Sequence, residues 1–423
     1  MNVLMFGWEF PPRVSGGLGT ACSGLVRGLA ENNVSVTLVV PRSARYDTDP
    51  RVEIIDPRTW HSKRTREDGE MLRIRQVQAF LHPYMDEEDY RAAENVAPDS
   101  STGEATDIND GDETALYGPT LYEEVFRYAG MAREIARQER FDVIHAHDWM
   151  TVPAAMEARN VSGRSFVLHM HSLESDRSGY RMNERIFAME RAGLTSADFV
   201  IAVSHYTKQK IMEQYGIEED RIGVVHNAVS RRERLEGLHM EKDGSKRYVL
   251  FLGRMTRQKG PRYFIEAARR VINMSPDIHF IMVGSGDLLQ PMKEEVARNG
   301  IADNIHFTGF LEGRDLEVAY AISDLYVMPS VSEPFGITAL EAITYDVPVI
   351  VSSRSGVCEV LPHCETVDFW NTDEIAGKIW EILSDRRRYD ELIAKGREAL
   401  KDISWNVAAR KVIDIYKAVM EQQ

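Results

Sequence analysis

The stretch from Pro329 to Glu341 constrains the fold of this chain more than any other segment. It lies between two apolar segments, 324–328 and 347–351, that have the length and composition of buried strands. The stretch itself contains a proline, a glycine and then an amphipathic run, which together predict a loop followed by a helix. The resulting order of strand, loop, helix and strand is typical of an α/β domain built on a parallel sheet.

Two carboxylates of this stretch are candidates for ligand binding. Glu333 is predicted to lie in the loop and Glu341 on the helix. Pro334 suits a position at or near the first turn of a helix, where its missing N–H group costs nothing, and Gly336 allows the backbone to approach a ligand closely. Because the first N–H groups of a helix have no partners within the helix, they form a natural anion site. We interpret the stretch as half of a nucleotide-sugar site.

The alternation of strands and helices continues along the whole chain and restarts near residue 247. Further strands are predicted over 2–6, 34–40, 51–55, 72–80, 141–149, 165–169, 199–204, 222–227, 248–252, 278–283 and 305–309. Helices are predicted over 20–32, 121–138, from 152, 206–215, 261–274, 316–322 and 405–423. The pattern predicts two doubly wound α/β domains. They cover residues 1–230 and 231–404, and helix 405–423 returns to the first.

Residues 86–113 interrupt the pattern of the first domain. They contain eleven acidic residues and one basic residue, with few aromatic or aliphatic side chains. Such a composition cannot bury enough apolar surface to form a core. We predict an acidic insertion on the surface, with a lid or docking segment as the alternative.

Composition excludes several classes of protein. A net charge of −15 argues against a nucleic-acid-binding protein. The three cysteines include no C-x-x-C pair, so we expect neither a zinc site nor a disulfide framework. No apolar run is long enough to span a membrane, and the N-terminus has no basic region of a signal peptide. We therefore expect a cytoplasmic protein without a transmembrane segment.

Three further segments carry polar or flexible residues at predicted strand ends, where open parallel sheets bind ligands. The loop 7–19 ends in Gly16-Gly17-Leu18-Gly19, which does not form the G-x-G-x-x-G fingerprint but precedes a helix. His145 and His147 are two residues apart and therefore share one face of their strand. In the second domain, Arg254 and Lys259 share a loop from which both can reach a diphosphate.

Together these segments resemble retaining GT-B glycosyltransferases of family 4 and the related glycogen and starch synthases. The likeness rests on the glycine loop, on His145-Ala146-His147-Asp148-Trp149, on Gly253-Arg254 with Lys259-Gly260, and on Glu333-Pro334-Phe335-Gly336 with Glu341. It implies the GT-B architecture, in which two Rossmann-like domains face each other across a cleft. The likeness departs at two places: Val14 stands where those synthases typically have lysine, and Ser355-Gly356-Val357 replaces their Thr-Gly-Gly motif.

The resemblance implies a role for each motif. Arg254 and Lys259 hold the diphosphate and stabilise the leaving charge, and Glu333 binds the donor sugar. Glu341 binds the ribose, and one histidine of the pair, for which we favour His147, lies by the transferred sugar. The remaining donor contacts are expected from Gly16, Gly17, Leu18, Phe335, Gly336 and Ile337.

The acceptor side is less well defined. His171-Ser172-Leu173 resembles a segment of sucrose-phosphate synthases, so acceptor contacts are expected from His145, His171 and Arg177, with Arg181 as a further candidate. The implied reaction moves a hexose, for which we favour glucose, from UDP- or ADP-glucose or another nucleotide-diphosphate hexose to a saccharide or sugar phosphate. It requires no metal and no other cofactor. A nucleotide-sugar 2-epimerase and a non-catalytic glucan-binding protein remain alternatives.

Overall fold

The computed structural model describes residues 1–11, 17–41, 52–55, 72–77, 121–179, 182–230 and 246–422. The predicted acidic insertion at 86–113, most of the predicted linker, and Gly16, Val14 and Arg181 lie outside the described residues. The described strands are β1 Asn2–Phe6, β2 Ser35–Pro41, β3 Val52–Ile55, β4 Leu72–Val77, β5 Val143–His147, β6 Phe166–Met170, β7 Phe199–Ala202, β8 Ile222–Val224, β9 Arg247–Leu252, β10 Ile278–Val283, β11 Ile305–Gly309, β12 Leu325–Met328, β13 Val349–Ser352 and β14 Glu365–Val367.

Helices separate most of these strands. They are α1 Gly17–Glu31, α2 Leu121–Gln138, α3 Val152–Ser162, α4 Glu174–Ser178, α5 Glu184–Ser196, α6 His205–Tyr215, α7 Pro261–Met274, α8 Leu289–Arg298, α9 Gly313–Ile322, α10 Ile337–Thr344, α11 Thr372–Ser384, α12 Arg386–Ala399 and α13 Trp405–Glu421.

The first sheet has eight strands in the order β3-β4-β2-β1-β5-β6-β7-β8. Strand β1 pairs in parallel with β2 and β5, and β5 pairs in parallel with β6. All residues of β5 and β6 are buried, and seven of the ten are apolar, as is typical of strands covered on both faces. Because the order reverses between β1 and β5, the carboxyl ends of these two strands mark the switch point of the sheet.

The second sheet has six strands in the order β11-β10-β9-β12-β13-β14, and all its pairings are parallel. Counted from β9, this order is 3-2-1-4-5-6, the order of a Rossmann sheet. Helix α7 shows how the sequence covers the sheet: Phe264, Ile265, Ala268 and Val271 recur at helical spacing and are all buried. The α/β fold with two Rossmann-like, doubly wound domains is thereby confirmed.

The chain divides into two compact units that differ in detail from the predicted domains. One unit comprises 1–170, 185–201 and 412–423, and the other comprises 171–184 and 202–411. Within the second unit, the hydroxyl of Ser204, just before α6, donates to the Pro334 carbonyl over 2.6 Å. The domain limits of the folded protein remain a prediction. Below, the N-terminal domain is the first of these units and the C-terminal domain is the second.

Candidate active site

The switch point of the C-terminal sheet brings two predicted site segments together. Strands β9 and β12 are neighbours, and the chain leaves both at the same edge. The loop after β9 carries Arg254 and Lys259, whereas the loop after β12 carries Glu333 and leads into α10. Ligands of open α/β sheets bind at this position. The sheet topology therefore brings Arg254, Lys259 and Glu333 to one edge of the sheet, and Glu341 follows on α10.

An ion pair joins the two loops. The Lys259 ammonium lies 2.6 Å from a carboxylate oxygen of Glu333, which also accepts a hydrogen bond from the Ser330 hydroxyl over 3.0 Å. The Glu333 side chain is 8% exposed and that of Lys259 is 23% exposed, so the pair is largely withdrawn from solvent but still reachable. Charge-assisted bonds of this kind are strong in such surroundings. The pair fixes two predicted donor contacts against each other.

Gly260 allows this close approach. Its φ of +70° lies in the left-handed region, and a Cβ atom added there would lie 2.1 Å from the carbonyl oxygen of Pro329. Only glycine avoids both the conformational strain and this contact. The backbone after Lys259 therefore packs directly against the start of the loop that carries Glu333.

Gln258 connects the same loops a second time. Its amide nitrogen donates to the Ser332 carbonyl over 3.2 Å, and its backbone carbonyl accepts from the Val331 N–H group over 2.8 Å. Its side-chain oxygen accepts from the half-buried Arg254 guanidinium over 3.4 Å. Gln258, which the sequence analysis did not select, thus links Arg254 to the loop that carries Glu333.

Helix α10 follows the loop that carries Glu333, as predicted. Gly336 is its N-cap, with a φ of +108°, and the helix runs from Ile337 to Thr344. Pro334 lies two residues before the N-cap, near the first turn but outside it, and its carbonyl accepts the Ser204 hydroxyl. A Cβ atom on Gly336 would lie 2.7 Å from Cε of Met328, so the backbone lies tightly on the end of β12. Phe335 is buried at this helix start.

Glu341 lies one turn into α10 and bonds to a tyrosine of α9. Its carboxylate accepts the Tyr320 hydroxyl over 2.8 Å. Burial and the Glu341 charge raise the pKa of Tyr320 well above its ordinary value, so this hydroxyl keeps its proton. A small pocket opens beside Glu341, and its walls are formed by Val229, Ser230, Leu316, Tyr320, Thr344 and Tyr345. The Tyr345 ring stacks on Tyr320 at this pocket, with ring centroids 5.3 Å apart.

The predicted acceptor segment also belongs to the C-terminal domain. The Arg177 guanidinium bonds within that segment, to the Glu174 carboxylate over 3.3 Å and to the Ser172 carbonyl over 3.1 Å. His171 is half-buried just before α4. The acceptor roles of His171 and Arg177 remain predictions.

Asp176 is a residue of this segment that the sequence analysis missed. It is 4% exposed and accepts three bonds: from the Ser332 hydroxyl over 2.6 Å, from the Leu173 N–H group over 2.8 Å and from the Lys210 ammonium. Ser332 directly precedes Glu333. Asp176 therefore joins the predicted acceptor segment to the loop of the predicted donor site, a link that only the folded chain reveals.

The histidines of the N-terminal domain lie on β5 and β6. The rings of His145 and His147 are 4.5 Å apart, which confirms that they share one face of the strand. Both side chains are fully buried. The Tyr416 hydroxyl of α13 lies 2.5 Å from Nδ1 of His145, so His145 is engaged within the domain, and its acceptor role remains a prediction. Burial lowers the pKa of His147 to about 3, and the imidazole is therefore neutral.

The glycine loop is described only in part. Gly17 is the exposed first residue of α1, and Leu18 is buried in the core. Because the Leu18 side chain is buried, a contact with the donor would have to come from its backbone, and this contact remains a prediction. The whole-loop arrangement depends on residues 12–16, which lie outside the described ranges.

Two family models match this chain, one in each half. Residues 239–399 match the model "Glycosyl transferases group 1", and residues 96–233 match "Glycosyltransferase Family 4". A curated relative, an uncharacterized glycosyltransferase of Methanocaldococcus jannaschii, is 28% identical over 440 residues, and the match covers 100% of this chain and 99% of the relative. This chain is a GT-B glycosyltransferase of the family 4 type.

Solved structures show the same fold as this glycosyltransferase. Sucrose-phosphate synthase from Thermosynechococcus elongatus superposes with a TM-score of 0.73 at 18% identity and covers 100% of both chains. The Anabaena protein HepE, solved in complex with UDP and glucose, gives a TM-score of 0.69 at 15% identity and covers 98% of this chain and 99% of its own. In the described part of the glycosyltransferase, no helix has the length and apolarity needed to cross a membrane.

Proposed function

We propose that this glycosyltransferase moves a hexose, preferably glucose, from a nucleotide-diphosphate sugar to a saccharide or sugar-phosphate acceptor with retention of the anomeric configuration. The observation that carries the proposal is the Lys259–Glu333 ion pair at the switch point of the C-terminal sheet. It supplies one cation for the diphosphate and one carboxylate for the sugar hydroxyls within a single contact.

The residues around the pair suit the two ends of such a donor. Glu341, beside its small pocket, is proposed to accept the ribose hydroxyls. The Arg254 guanidinium and the N–H groups at Phe335, Gly336 and Ile337 are proposed to join Lys259 at the diphosphate. The structural neighbour solved with UDP and glucose supports a uridine donor, and ADP-glucose is the second donor to test.

The chemical step follows from the charge distribution. The bond between the anomeric carbon and the diphosphate breaks, the acceptor oxygen forms the new bond on the same face, and its proton passes to the departing phosphate oxygen. Because negative charge grows on the leaving group, Lys259 and Arg254 lower the barrier most by stabilising that charge. These two side chains supply the positive charge that a metal ion provides in other transferases. His147 is proposed to contact the transferred sugar as a neutral imidazole.

A transfer assay tests this proposal. The protein is incubated with UDP-, ADP- and GDP-hexoses and a set of saccharide and sugar-phosphate acceptors, and the anomeric proton of the product is followed by NMR. We expect one donor to give an α-linked product and Glu333→Gln to abolish transfer while the fold is kept. Conversion of the donor without any acceptor would instead identify a 2-epimerase. Glucan binding with neither donor turnover nor nucleotide release would identify a binding protein.

A further inference from the structure

Three buried histidines of the N-terminal domain form a cluster, and the proposed transfer step uses only His147 of the three. The histidine cluster consists of His145 and His147 on β5 and His169 on β6. One ring nitrogen from each lies within 4.8 Å of the other two. The side chains of His145 and His147 are fully buried, and that of His169 is 2% exposed.

The strand geometry places all three rings on one side of the sheet. His145 and His147 are two residues apart, and the register of β5 and β6 sets His147 directly opposite His169. The ring centroids are 4.5 Å apart for His145 and His147, 5.4 Å for His145 and His169, and 5.5 Å for His147 and His169. Three imidazoles thus converge from two adjacent strands whose backbones are fixed by the ladder.

Tyr416 orients the ring of His145 in the histidine cluster. Its hydroxyl lies 2.5 Å from Nδ1 of His145, so an Nδ1–H group that donates to it leaves the lone pair on Nε2. That Nε2 atom is buried and has no hydrogen-bond partner among the described residues. Histidine ligands of metals are commonly held in this way, by a bond from the other ring nitrogen to a polar group.

We propose that the histidine cluster binds one divalent transition-metal ion of the zinc type through one nitrogen of each histidine, with the fourth position left to water or a small anion. Nitrogen ligands select such ions over magnesium and calcium, which prefer oxygen. Three histidines with an open fourth position form a known type of tetrahedral zinc site.

Binding requires a small closure of the rings. Zinc–nitrogen distances of about 2.0–2.1 Å in a tetrahedron correspond to ring nitrogens about 3.4 Å apart. Nitrogens at the observed limit of 4.8 Å must therefore approach by up to about 1.4 Å (4.8 minus 3.4), which rotation about the side-chain torsions can supply. A bound ion would also hold His147 away from a sugar. Loading is therefore expected to inhibit transfer, a consequence that rests on the proposed function, whereas the binding itself does not.

Metal content and cobalt spectroscopy test the site without any use of activity. Because the cluster is buried, the full-length protein is produced in medium supplemented with zinc, passed over a chelating resin and analysed for metal. We expect about one zinc per chain, and about 10-fold less in His169→Gln. Protein produced with cobalt is expected to show the visible absorption of a tetrahedral Co²⁺ ion.

Two further variants control the test. Tyr416→Phe keeps the ring in the core and is expected to weaken metal binding about 10-fold, as loss of an orienting partner does. His306→Gln removes one ring of the surface pair whose nitrogens are 3.0 Å apart, and it is expected to retain the full metal content. The proposal would be overturned if the wild-type protein contained no zinc or if the cobalt protein lacked the tetrahedral spectrum. It would also be overturned if His306→Gln lost the metal and His169→Gln kept it.

Discussion

At the scale of single residues, the contact between Lys259 and Glu333 is what turns two separate loops into a candidate donor site. The sequence predicted both residues and their chemistry, because each lies in a loop that follows an apolar strand. It did not predict that the two bond to each other across 74 positions. That contact depends on β9 and β12 being neighbours in the sheet, and strand order is not encoded in any local pattern.

Removal of the Lys259 ammonium should slow transfer far more than it weakens the fold. Lys259→Ala is expected to lower kcat by about 10²- to 10³-fold, the range seen when one group that stabilises a developing charge is lost. Steady-state kinetics with the preferred donor measure the effect, and circular dichroism confirms folding. Arg262→Ala is the control, since Arg262 is 65% exposed on the neighbouring helix. Equal losses in both variants would contradict the assigned role.

A comparison of Gly260 with Gly300 separates the energetic cost of a left-handed backbone conformation from the cost of a steric clash. Both have left-handed φ values, +70° and +66°, but a Cβ atom meets the Pro329 carbonyl only at Gly260, and at Gly300 nothing lies within 4 Å. Gly300→Ala is expected to cost about 1–2 kcal/mol of unfolding free energy, which is the left-handed penalty alone.

Gly260→Ala should cost distinctly more than that, because the two loops must also separate. Urea denaturation of the two variants measures the difference, and the donor KM of Gly260→Ala should rise as well. Equal unfolding free energies would show that the loop at Pro329 adjusts without cost.

At the scale of elements, apolar runs bounded by turn residues predicted most strands and helices. Strands β10 and β11 and helices α2 and α7 occupy the predicted residues. Strand β14 and helix α12 are among the elements that the sequence did not predict. Strand β14 has only three residues, and α12 buries only Leu392, so neither contains a periodic apolar pattern long enough to recognise. Their place is set by tertiary contacts instead.

The link between α4 and the donor loop can be tested at Ser332. Its hydroxyl donates to the Asp176 carboxylate over 2.6 Å and lies 2.9 Å from the Tyr206 hydroxyl. Ser332→Ala removes the link and leaves the Asp176–Lys210 ion pair in place. We expect the donor KM to rise about 2- to 10-fold, which corresponds to a hydrogen bond of about 0.5–1.5 kcal/mol. The change in kcat should be smaller, because the proposed contact of Glu333 with the sugar is present throughout the reaction.

A matched hydroxyl controls the Ser332 experiment. Among the described residues, Ser178 bonds only within α4, where its hydroxyl donates to the Glu174 carbonyl over 2.9 Å. Ser178→Ala should therefore leave the donor KM unchanged. An increase of the same size in both variants would show that α4 stability, and not its link to the loop, sets donor affinity.

Glu365 connects β14 to α11 and α12, and this connection should make stability depend on pH. Burial alone would raise the pKa of Glu365, but the Lys378 ammonium, 2.6 Å away, and the Arg388 guanidinium lower it below its ordinary value of 4.5. Because the pKa is lower in the folded state, the stabilisation is complete above about pH 4.5 and is lost as the pH falls through the folded-state pKa.

Glu365→Gln should therefore be less stable than the wild type at pH 7, with the difference shrinking towards pH 3. Urea midpoints at both pH values measure it. Glu398→Gln, which alters an exposed pair, is the control and should change little at either pH. If the difference in urea midpoint between wild type and Glu365→Gln were the same at pH 7 and pH 3, the Glu365 side chain would stabilise the fold through its packing and not through its charge.

At the scale of the whole molecule, the sequence predicted two α/β domains because the strand–helix alternation restarts near residue 247. It placed the first limit near 230. In the structure, 171–184 and 202–411 belong to the second compact unit, whereas 185–201 belongs to the first. Contacts such as that of Asp176 with Ser332 connect 171–184 to the second unit, and no change of composition or linker in the sequence predicts them.

Thermal stability of the intact protein should report which nucleotide the proposed donor site accepts. A ligand that binds only the folded state stabilises it by about 2.7 kcal/mol at 100 times its Kd. Among UDP-, ADP- and GDP-hexoses at equal concentration, we expect one to raise the melting temperature by a few degrees. Glu341→Ala should remove most of that rise if Glu341 holds the ribose, whereas Arg262→Ala should keep it. A rise of the same size with all three donors would mean that the diphosphate and ribose are bound without selection of the base.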